Sequence, residues 1–89
     1  MANGEDDLFD FPCAFPLKIM GFANDDLARV VGDLVRRHAP DFNPATMTVR
    51  SSSAGKYISL SCTITATSRL QLDALYRELS SHPLVTFVL

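Results

Sequence analysis

Residues 57–67, Tyr-Ile-Ser-Leu-Ser-Cys-Thr-Ile-Thr-Ala-Thr, decide the fold, because apolar and polar side chains alternate along them without a break. Successive side chains of a β-strand point to opposite faces of a sheet, so the even-numbered residues from Ile58 to Ala66 face one way. The opposite side carries Tyr57 and a row of serine and threonine hydroxyls. This pattern predicts a central strand in a sheet with one buried face and one polar face.

The segments upstream of this strand predict a hairpin and a first strand. Residues 53–56, Ser-Ala-Gly-Lys, are short and polar and contain the glycine that a hairpin turn needs, and residues 46–52 before them read as a strand. Residues 14–22 also alternate, with Lys18 and Met20 on the polar side. Pro16 is expected at the beginning of that first strand, where its missing N–H does least harm.

Helical periodicity separates these strands twice. Asn24 is expected to cap a first helix, with Asp25 and Asp26 in its first turn near the positive end of the helix dipole. Ser68 and Gln71 fit a capping box at the start of a second helix. Residues 84–89 then predict a last strand that is apolar on both sides. Apolar residues recur at helical spacing after each start, at Leu27, Val30, Val31, Leu34 and Val35 and at Leu72, Leu75, Tyr76 and Leu79.

The order β-α-β-β-α-β predicts an α+β ferredoxin-like sandwich. Each strand–helix–strand half requires a right-handed crossover, and the hairpin joins the two halves. Both helices then cover the dry face of a four-stranded antiparallel sheet. The first and third strands are central in this arrangement, and the second and fourth are edges.

The composition fits one small domain. The chain has 89 residues, of which 47% are hydrophobic and 20% charged, and its net charge is −2. Four of its ten acidic residues lie in residues 1–10, which predict a flexible acidic tail, and residues 11–89 carry six acidic against eight basic residues. No apolar run is long enough to span a bilayer, and the acidic start does not resemble a secretory signal. We therefore expect a cytoplasmic domain at 11–89.

The turn after the first strand is the first candidate ligand site. Gly21, Phe22 and Asn24 join that strand to the start of the first helix, where free N–H groups and the helix dipole favour an anion. A glycine turn followed by an N-cap explains the same residues without any ligand. Both interpretations remain open from the sequence.

The hairpin is the second candidate, as an anion site. Arg50, Ser52, Ser53 and Lys56 place two cations and two hydroxyls around one turn. The segment resembles a phosphate-binding loop only superficially, because that motif needs a second glycine, a Ser or Thr after the lysine, and a helix that opens there. A plain hairpin turn is the simpler interpretation.

No arrangement of catalytic groups stands out. His38 and His82 lie at helix ends, where dipole interaction explains them, and Cys62 falls on the dry face of a central strand. Cys13 has only Lys18 nearby in sequence to lower the pKa of its thiol. The two cysteines and two histidines have no metal-ligand spacing. We expect a protein that is not an enzyme, with no catalytic residues, metal or cofactor.

The last strand and the polar sheet face predict partners. An edge strand that is apolar on both sides must be covered, so we expect a homodimer. The alternative is an adaptor that binds a partner protein through the polar face or an edge strand. RNA binding is a distant third possibility, because Tyr57 is the one aromatic residue at the exposed central positions. We expect no membrane partner, and a nucleic acid ranks last among the partners considered.

Six segments of the chain carry a family resemblance: 11–16 (FPCAFP), 18–21 (KIMG), 35–40 (VRRHAP), 51–57 (SSSAGKY), 75–79 (LYREL) and 88–89 (VL). Together they resemble the YbeD family of small bacterial proteins, and the resemblance extends across residues 9–89. It implies a ferredoxin-like fold similar to the ACT regulatory domain, together with lipoic-acid binding and a regulatory role. ACT domains bind amino acids near the loop after the first strand, which corresponds to Gly21, Phe22 and Asn24.

The leading hypothesis is therefore a non-catalytic regulatory or small-ligand-binding module, linked through the family resemblance to lipoate metabolism. A protein-interaction adaptor is the alternative. A retained partner or ligand in native mass spectrometry distinguishes the two.

Overall fold

Residues 10–52 and 54–89 are described by the structure, a computed structural model. The sheet has the strand order β2-β3-β1-β4, and every neighbouring pair is antiparallel. The predicted βαββαβ order and the central positions of the first and third strands are therefore confirmed. The elements are β1 (Cys13–Phe22), α1 (Leu27–His38), β2 (Thr48–Ser51), β3 (Tyr57–Ala66), α2 (Arg69–Ser81) and β4 (Val85–Val88).

One apolar core lies between the sheet and the two helices. Its strand residues come from the dry face predicted by alternation, and its helix residues recur at helical spacing. Both helices therefore cover the same face of the sheet, as the sequence predicts. The core includes Leu17, Ile19, Leu60, Cys62, Ile64 and Ala66 from the sheet and Leu27, Val31, Leu34, Val35, Leu72, Leu75 and Leu79 from the helices.

Strand β1 begins at Cys13, earlier than predicted, and Pro16 is its fourth residue rather than its first. Pro16 is tolerated because it pairs with Thr63 on the β3 side while its nitrogen points to the β4 side. The amide of Lys18, two residues later, points the same way and donates to Leu89. Strand β4 does not reach Pro16, so no ladder hydrogen bond is lost there.

Helix α1 begins at Leu27, so the prediction that Asn24 caps it and that Asp25 and Asp26 form its first turn is wrong. The side-chain oxygen of Asn24 instead accepts the N–H of Asp26 at 2.8 Å. This local turn, typical of asparagine, satisfies the backbone before the helix starts. Asp26 is the N-cap residue, and its side chain makes no capping hydrogen bond.

Strand β2 is shorter than predicted because residues 44–46 form one turn of 3₁₀-helix. The side chain of Asn43 accepts the N–H of Ala45 at 3.0 Å and so starts that turn. Strand β2 is an edge, and all four of its residues are exposed. Val49 has 56% of its surface exposed although it lies on the helix side, so the helices do not cover this edge.

Strand β4 is the other edge, and a register shift opposite Met20 and Gly21 interrupts its alternation. Val85 is buried in the core, whereas Phe87 and Leu89 are exposed on the opposite side of the sheet. Regular alternation along 84–89 would put these three residues on one side, and it fails here because a bulge adds a residue that alternation does not count.

The predicted N-cap of α2 at Ser68 is confirmed, but the return bond from Gln71 reaches the residue before the cap and not Ser68 itself, so the capping box is only half formed. The hydroxyl of Ser68 accepts the N–H of Gln71 at 3.0 Å. The side chain of Gln71 accepts the N–H of Thr67 at 2.7 Å and donates to the carbonyl of His38 at 2.9 Å. The same side chain therefore closes the start of α2 and ties it to the end of α1.

Within residues 10–52 and 54–89, no helix is long and apolar enough to cross a membrane. The predicted acidic tail, residues 1–10, falls outside the described residues except for Asp10, which is exposed. The boundary between tail and domain stays a prediction.

Candidate functional site

The sheet face opposite the helices is the candidate site, and we call it the open face. Alternation and register place its side chains in cross-strand rows: Lys18 pairs with Ser61, and Met20 lies between Ser59 and Phe87. Arg50 on β2 pairs with Ser59 and so extends the second row. The open face comprises Lys18, Met20, Phe22, Thr48, Arg50, Tyr57, Ser59, Ser61, Phe87 and Leu89.

A cleft of about 350 Å³ lies on this face. Met20, Phe87 and Leu89 provide apolar surface from the two strands at one side, and Tyr57 contributes a ring from β3. Two cations, Lys18 and Arg50, complete the lining together with hydroxyls from β2 and β3. The combination of apolar surface and a few charged groups is typical of small-molecule sites, which are usually about 300–1,000 Å³ in volume.

Lys18 and Arg50 have no carboxylate partner among the described residues. Four ion pairs described elsewhere join Arg29, Arg37 and Arg69 to acids on the helices or immediately before them. None of the described aspartates and glutamates belongs to a strand. The charged side chains of the open face are therefore cationic, while the described aspartates and glutamates lie elsewhere.

Exposed apolar residues concentrate on the same face. Of the large apolar residues that are exposed in the described chain, four lie here: Phe22, Tyr57, Phe87 and Leu89. The rings of Phe22 and Tyr57 are neighbours across β1 and β3, with centroids 5.9 Å apart. Clusters of exposed apolar side chains usually mark binding surfaces.

The predicted anion residues are only partly brought together. Arg50 and Ser52 line the cleft, and Ser52 also closes the hairpin because its hydroxyl accepts the N–H of Tyr57 at 3.2 Å. Lys56 is exposed in the turn outside the cleft, and its carbonyl accepts the N–H of Ala23 at 2.9 Å. Ser53 lies outside the described residues.

The predicted ligand residues Gly21, Phe22 and Asn24 do not form one site. Phe22 lies on the open face beside Tyr57. Gly21 is buried on the helix side, where an added Cβ would lie 2.5 Å from the carbonyl oxygen of Leu84. The side-chain oxygen of Asn24 is engaged in its local turn. Phe22 therefore lies on the same face of the sheet as Arg50, whereas Gly21 packs on the opposite face, against the helix side.

Lys18, Met20, Phe87 and Leu89 line the cleft, but sequence reasoning did not propose them as ligand residues. The alternation of β1 does place Lys18 and Met20 on the polar side of a central strand, which was the available signal. Nothing in the sequence marks the bulge that turns Phe87 to this face.

Two titratable groups outside the cleft belong to the core and to the contact between the helices. Burial raises the pKa of the Cys62 thiol to about 11. Glu78 on α2 contacts Arg37 and His38 at the end of α1, and the hydrogen bond with His38 is the main cause that lowers its pKa. The described residues hold no cluster of three His, Cys, Asp or Glu that could bind a metal. Absence of catalysis stays a prediction.

Residues 6–89 match the profile of a protein family of unknown function, DUF493. A UPF0250 protein of Nitrosomonas europaea, NE1487, is 51% identical over 85 residues, which cover 96% of this chain and 98% of the relative. A UPF0250 protein of Chromobacterium violaceum is 46% identical over 89 residues and the full length of both chains. The chain belongs to the DUF493/UPF0250 family. YbeD-type proteins belong to this same family, so the resemblance inferred from the sequence is confirmed.

The fold of this DUF493 member is also found in a solved structure. The solution structure of protein HP0495 from H. pylori superposes with a TM-score of 0.74 over 91% of this chain and 85% of that one. The two chains are 13% identical, so the likeness concerns the fold alone.

Proposed function

We propose that this protein is a non-catalytic ligand-binding module with a regulatory role, and that its open face binds a small organic anion with an apolar chain. The observation that carries the proposal is the position of Lys18 and Arg50 beside exposed apolar surface, with neither cation paired to a described aspartate or glutamate.

The two cations support an anionic head group. Lys18 lies on central strand β1 and Arg50 on edge strand β2, with Ser59 of β3 between them in the cleft lining. Hydrogen bonds to a charged group contribute about 1.5–3 kcal/mol each, which is more than neutral ones contribute. A ligand carboxylate between these side chains would neutralise charges that have no aspartate or glutamate partner among the described residues.

The apolar surface supports a medium-length chain on that anion. Met20, Phe87 and Leu89 line the same cleft as the two cations. Burial of one methylene contributes about 0.8 kcal/mol when complete, so a half-buried chain of four methylenes contributes about 1.6 kcal/mol. Octanoate and lipoate have this chemistry, and lipoate agrees with the role that the family resemblance implies.

The predicted homodimer is compatible with this proposal only in some geometries. Two open faces packed against each other would bring two copies of Lys18 and Arg50 together without a carboxylate from any described strand. Like charges that are buried together are unfavourable. Pairing through an edge strand or through the helices avoids this repulsion.

Titration calorimetry with octanoate, lipoate, octanamide and butanoate tests the proposal. We expect octanoate and lipoate to bind, octanamide to bind at least tenfold more weakly because it lacks the charge, and butanoate to bind about tenfold more weakly because it has four fewer methylenes. Lys18→Gln and Arg50→Gln should each weaken octanoate binding about tenfold.

Arg77→Gln is the matched control, since Arg77 is an exposed cation on helix α2, away from the cleft. It should leave octanoate binding unchanged. Equal affinity for octanoate and octanamide, or equal loss in all three variants, contradicts the proposed site.

A further inference from the structure

Strand β2 has one side free of sheet partners. The strand pairs with β3, and the hydrogen-bonded pair at Ser52 and Tyr57 fixes which of its residues point inward. The backbone N–H and C=O groups of successive residues in a strand point to opposite sides, so Thr48 and Arg50, like Ser52, direct theirs to β3. Val49 and Ser51 therefore direct theirs away from the sheet. No described residue of the chain pairs with that side.

The side chains along this edge differ between its two faces. Arg50 lies on the open face, within the lining that also includes Lys18. Val49 lies on the helix side and is 56% exposed, because the helices do not extend over β2. An added strand would therefore meet a cation on one face and uncovered apolar surface on the other.

We propose that β2 binds an extended segment of a partner protein as an added antiparallel strand, with an acidic residue opposite Arg50 and an apolar residue on each side of it. Hydrogen bonds to Val49 and Ser51 hold the strand. Arg50 and the acidic residue opposite it form a pair without backbone hydrogen bonds between them. The Cα atoms of such a pair are about 4.5 Å apart, which brings the acidic side chain next to Arg50.

Charge distinguishes this occupant from a second copy of the chain. Pairing of β2 with β2 adds a second Arg50 to the same face and no carboxylate from any described strand. Cations on edge strands commonly prevent pairing between identical edges. An acidic strand neutralises Arg50, so the edge favours a different partner over itself.

The other edge is less suitable for an added strand. The register shift in β4 interrupts its regular spacing, and the hydroxyl of Thr86 donates to the carbonyl of Met20 at 2.9 Å within the bulge. Bulges of this kind disrupt the ladder on an exposed edge. Strand β2 pairs in regular register from Thr48 to Ser51.

Amide chemical shifts of the ¹⁵N-labelled full chain test the proposal with the capped peptide Ser-Thr-Val-Glu-Val-Thr-Ser. We expect the largest shifts at the amides of Val49 and Ser51. Replacement of the peptide's Glu by Lys should weaken binding about tenfold, because it exchanges an attraction to Arg50 for a repulsion.

N-methylation of the peptide separates strand addition from other binding. N-methylation of either Val removes a donor that points to β2 and should abolish binding. N-methylation of Glu removes a donor that points away and should preserve it. The proposal is overturned if N-methylation of Val and of Glu changes peptide binding equally. It is also overturned if the amide shifts are confined to the Phe87 side of the cleft.

Val49→Pro tests the same edge from the protein. The Val49 N–H points away from β3, so proline removes one outward donor and leaves the β2–β3 ladder intact. The variant should lose peptide binding and retain octanoate binding, while the control Val49→Thr retains both. If Val49→Pro does not fold, the N-methylated peptides still decide.

The outcomes also distinguish this proposal from the small-anion site and from self-association. Octanoate binding without peptide binding overturns strand addition and leaves the anion site supported. Peptide binding without octanoate binding overturns the anion site and leaves strand addition supported. Shifts at Val49 and Ser51 that depend on protein concentration without peptide overturn it in favour of a second copy.

Discussion

Gly21 allows β4 and α1 to pack closely against β1. Its backbone lies against the carbonyl of Leu84 and the side chain of Leu27, so no Cβ fits there. The next residue, Phe22, points to the open face. The glycine of the predicted ligand turn thus permits close packing of β4 and α1 on β1.

Gly21→Ala should lower the free energy of unfolding by about 2 kcal/mol or more. The added Cβ would lie 2.5 Å from the Leu84 oxygen and 2.8 Å from the nearer Leu27 methyl, and relief requires backbone movement. For a domain of this size the melting temperature should fall by about 10 °C. Thermal and urea unfolding monitored by circular dichroism measure the change.

Gly32→Ala is the control for this substitution. Gly32 lies inside α1, and an added Cβ would meet the Met47 methyl at 3.5 Å, which is ordinary contact. Alanine is favoured over glycine in helices by about 1 kcal/mol, so Gly32→Ala should be neutral or stabilising. A tolerated Gly21→Ala beside a damaging Gly32→Ala would refute this account of the packing.

At the scale of elements, Glu78 joins the two helices. It contacts Arg37 and His38 at the end of α1, while Gln71 donates to the His38 carbonyl from the first turn of α2. Folding lowers the pKa of Glu78 below its ordinary value of 4.5, chiefly through the hydrogen bond with His38 and also through the charge of Arg37.

Glu78→Gln should therefore destabilise the protein at pH 7 and have progressively less effect as the pH falls through the lowered pKa. A carboxylate whose pKa is lowered by folding contributes stability that is fully present above its unfolded pKa and lost on protonation. Urea unfolding of both proteins between pH 3 and pH 7 measures this convergence.

Asp73→Asn is the comparison, because Asp73 forms an exposed pair with Arg69 at 3.5 Å within α2. Exposed pairs contribute about 0–1 kcal/mol, so this variant should differ little from the original protein. A Glu78→Gln penalty that stays constant from pH 7 to pH 3 would show that the carboxylate's charge does not stabilise the helix pair.

The sequence predicts elements best where one periodic pattern dominates. The alternation of β3 correctly predicts a central strand, and the helical spacing from Leu72 to Leu79 correctly predicts the buried side of α2. Boundaries failed where a local alternative competed, as when Asn24 formed its own turn and did not cap α1. The bulge in β4 depends on pairing with Met20 and Gly21, and such tertiary register cannot be inferred from local alternation.

At the scale of the molecule, charge and apolar surface are sorted by face. The helix side carries the described ion pairs of Arg29 and Arg69 and the contacts of Glu78. The open face carries Lys18 and Arg50 beside exposed apolar residues and no described aspartate or glutamate. Composition indicated a mildly basic domain, but only the register of three strands brings these cations to one cleft.

Mapping of octanoate-induced amide shifts on the ¹⁵N-labelled protein tests whether the open face binds the anion, because it locates the ligand without any substitution. We predict saturable shifts on the open face at Lys18, Met20, Arg50, Ser59 and Phe87. Shifts centred on residues 21–26, between β1 and α1, or no saturable shift at millimolar octanoate, would contradict the proposed site.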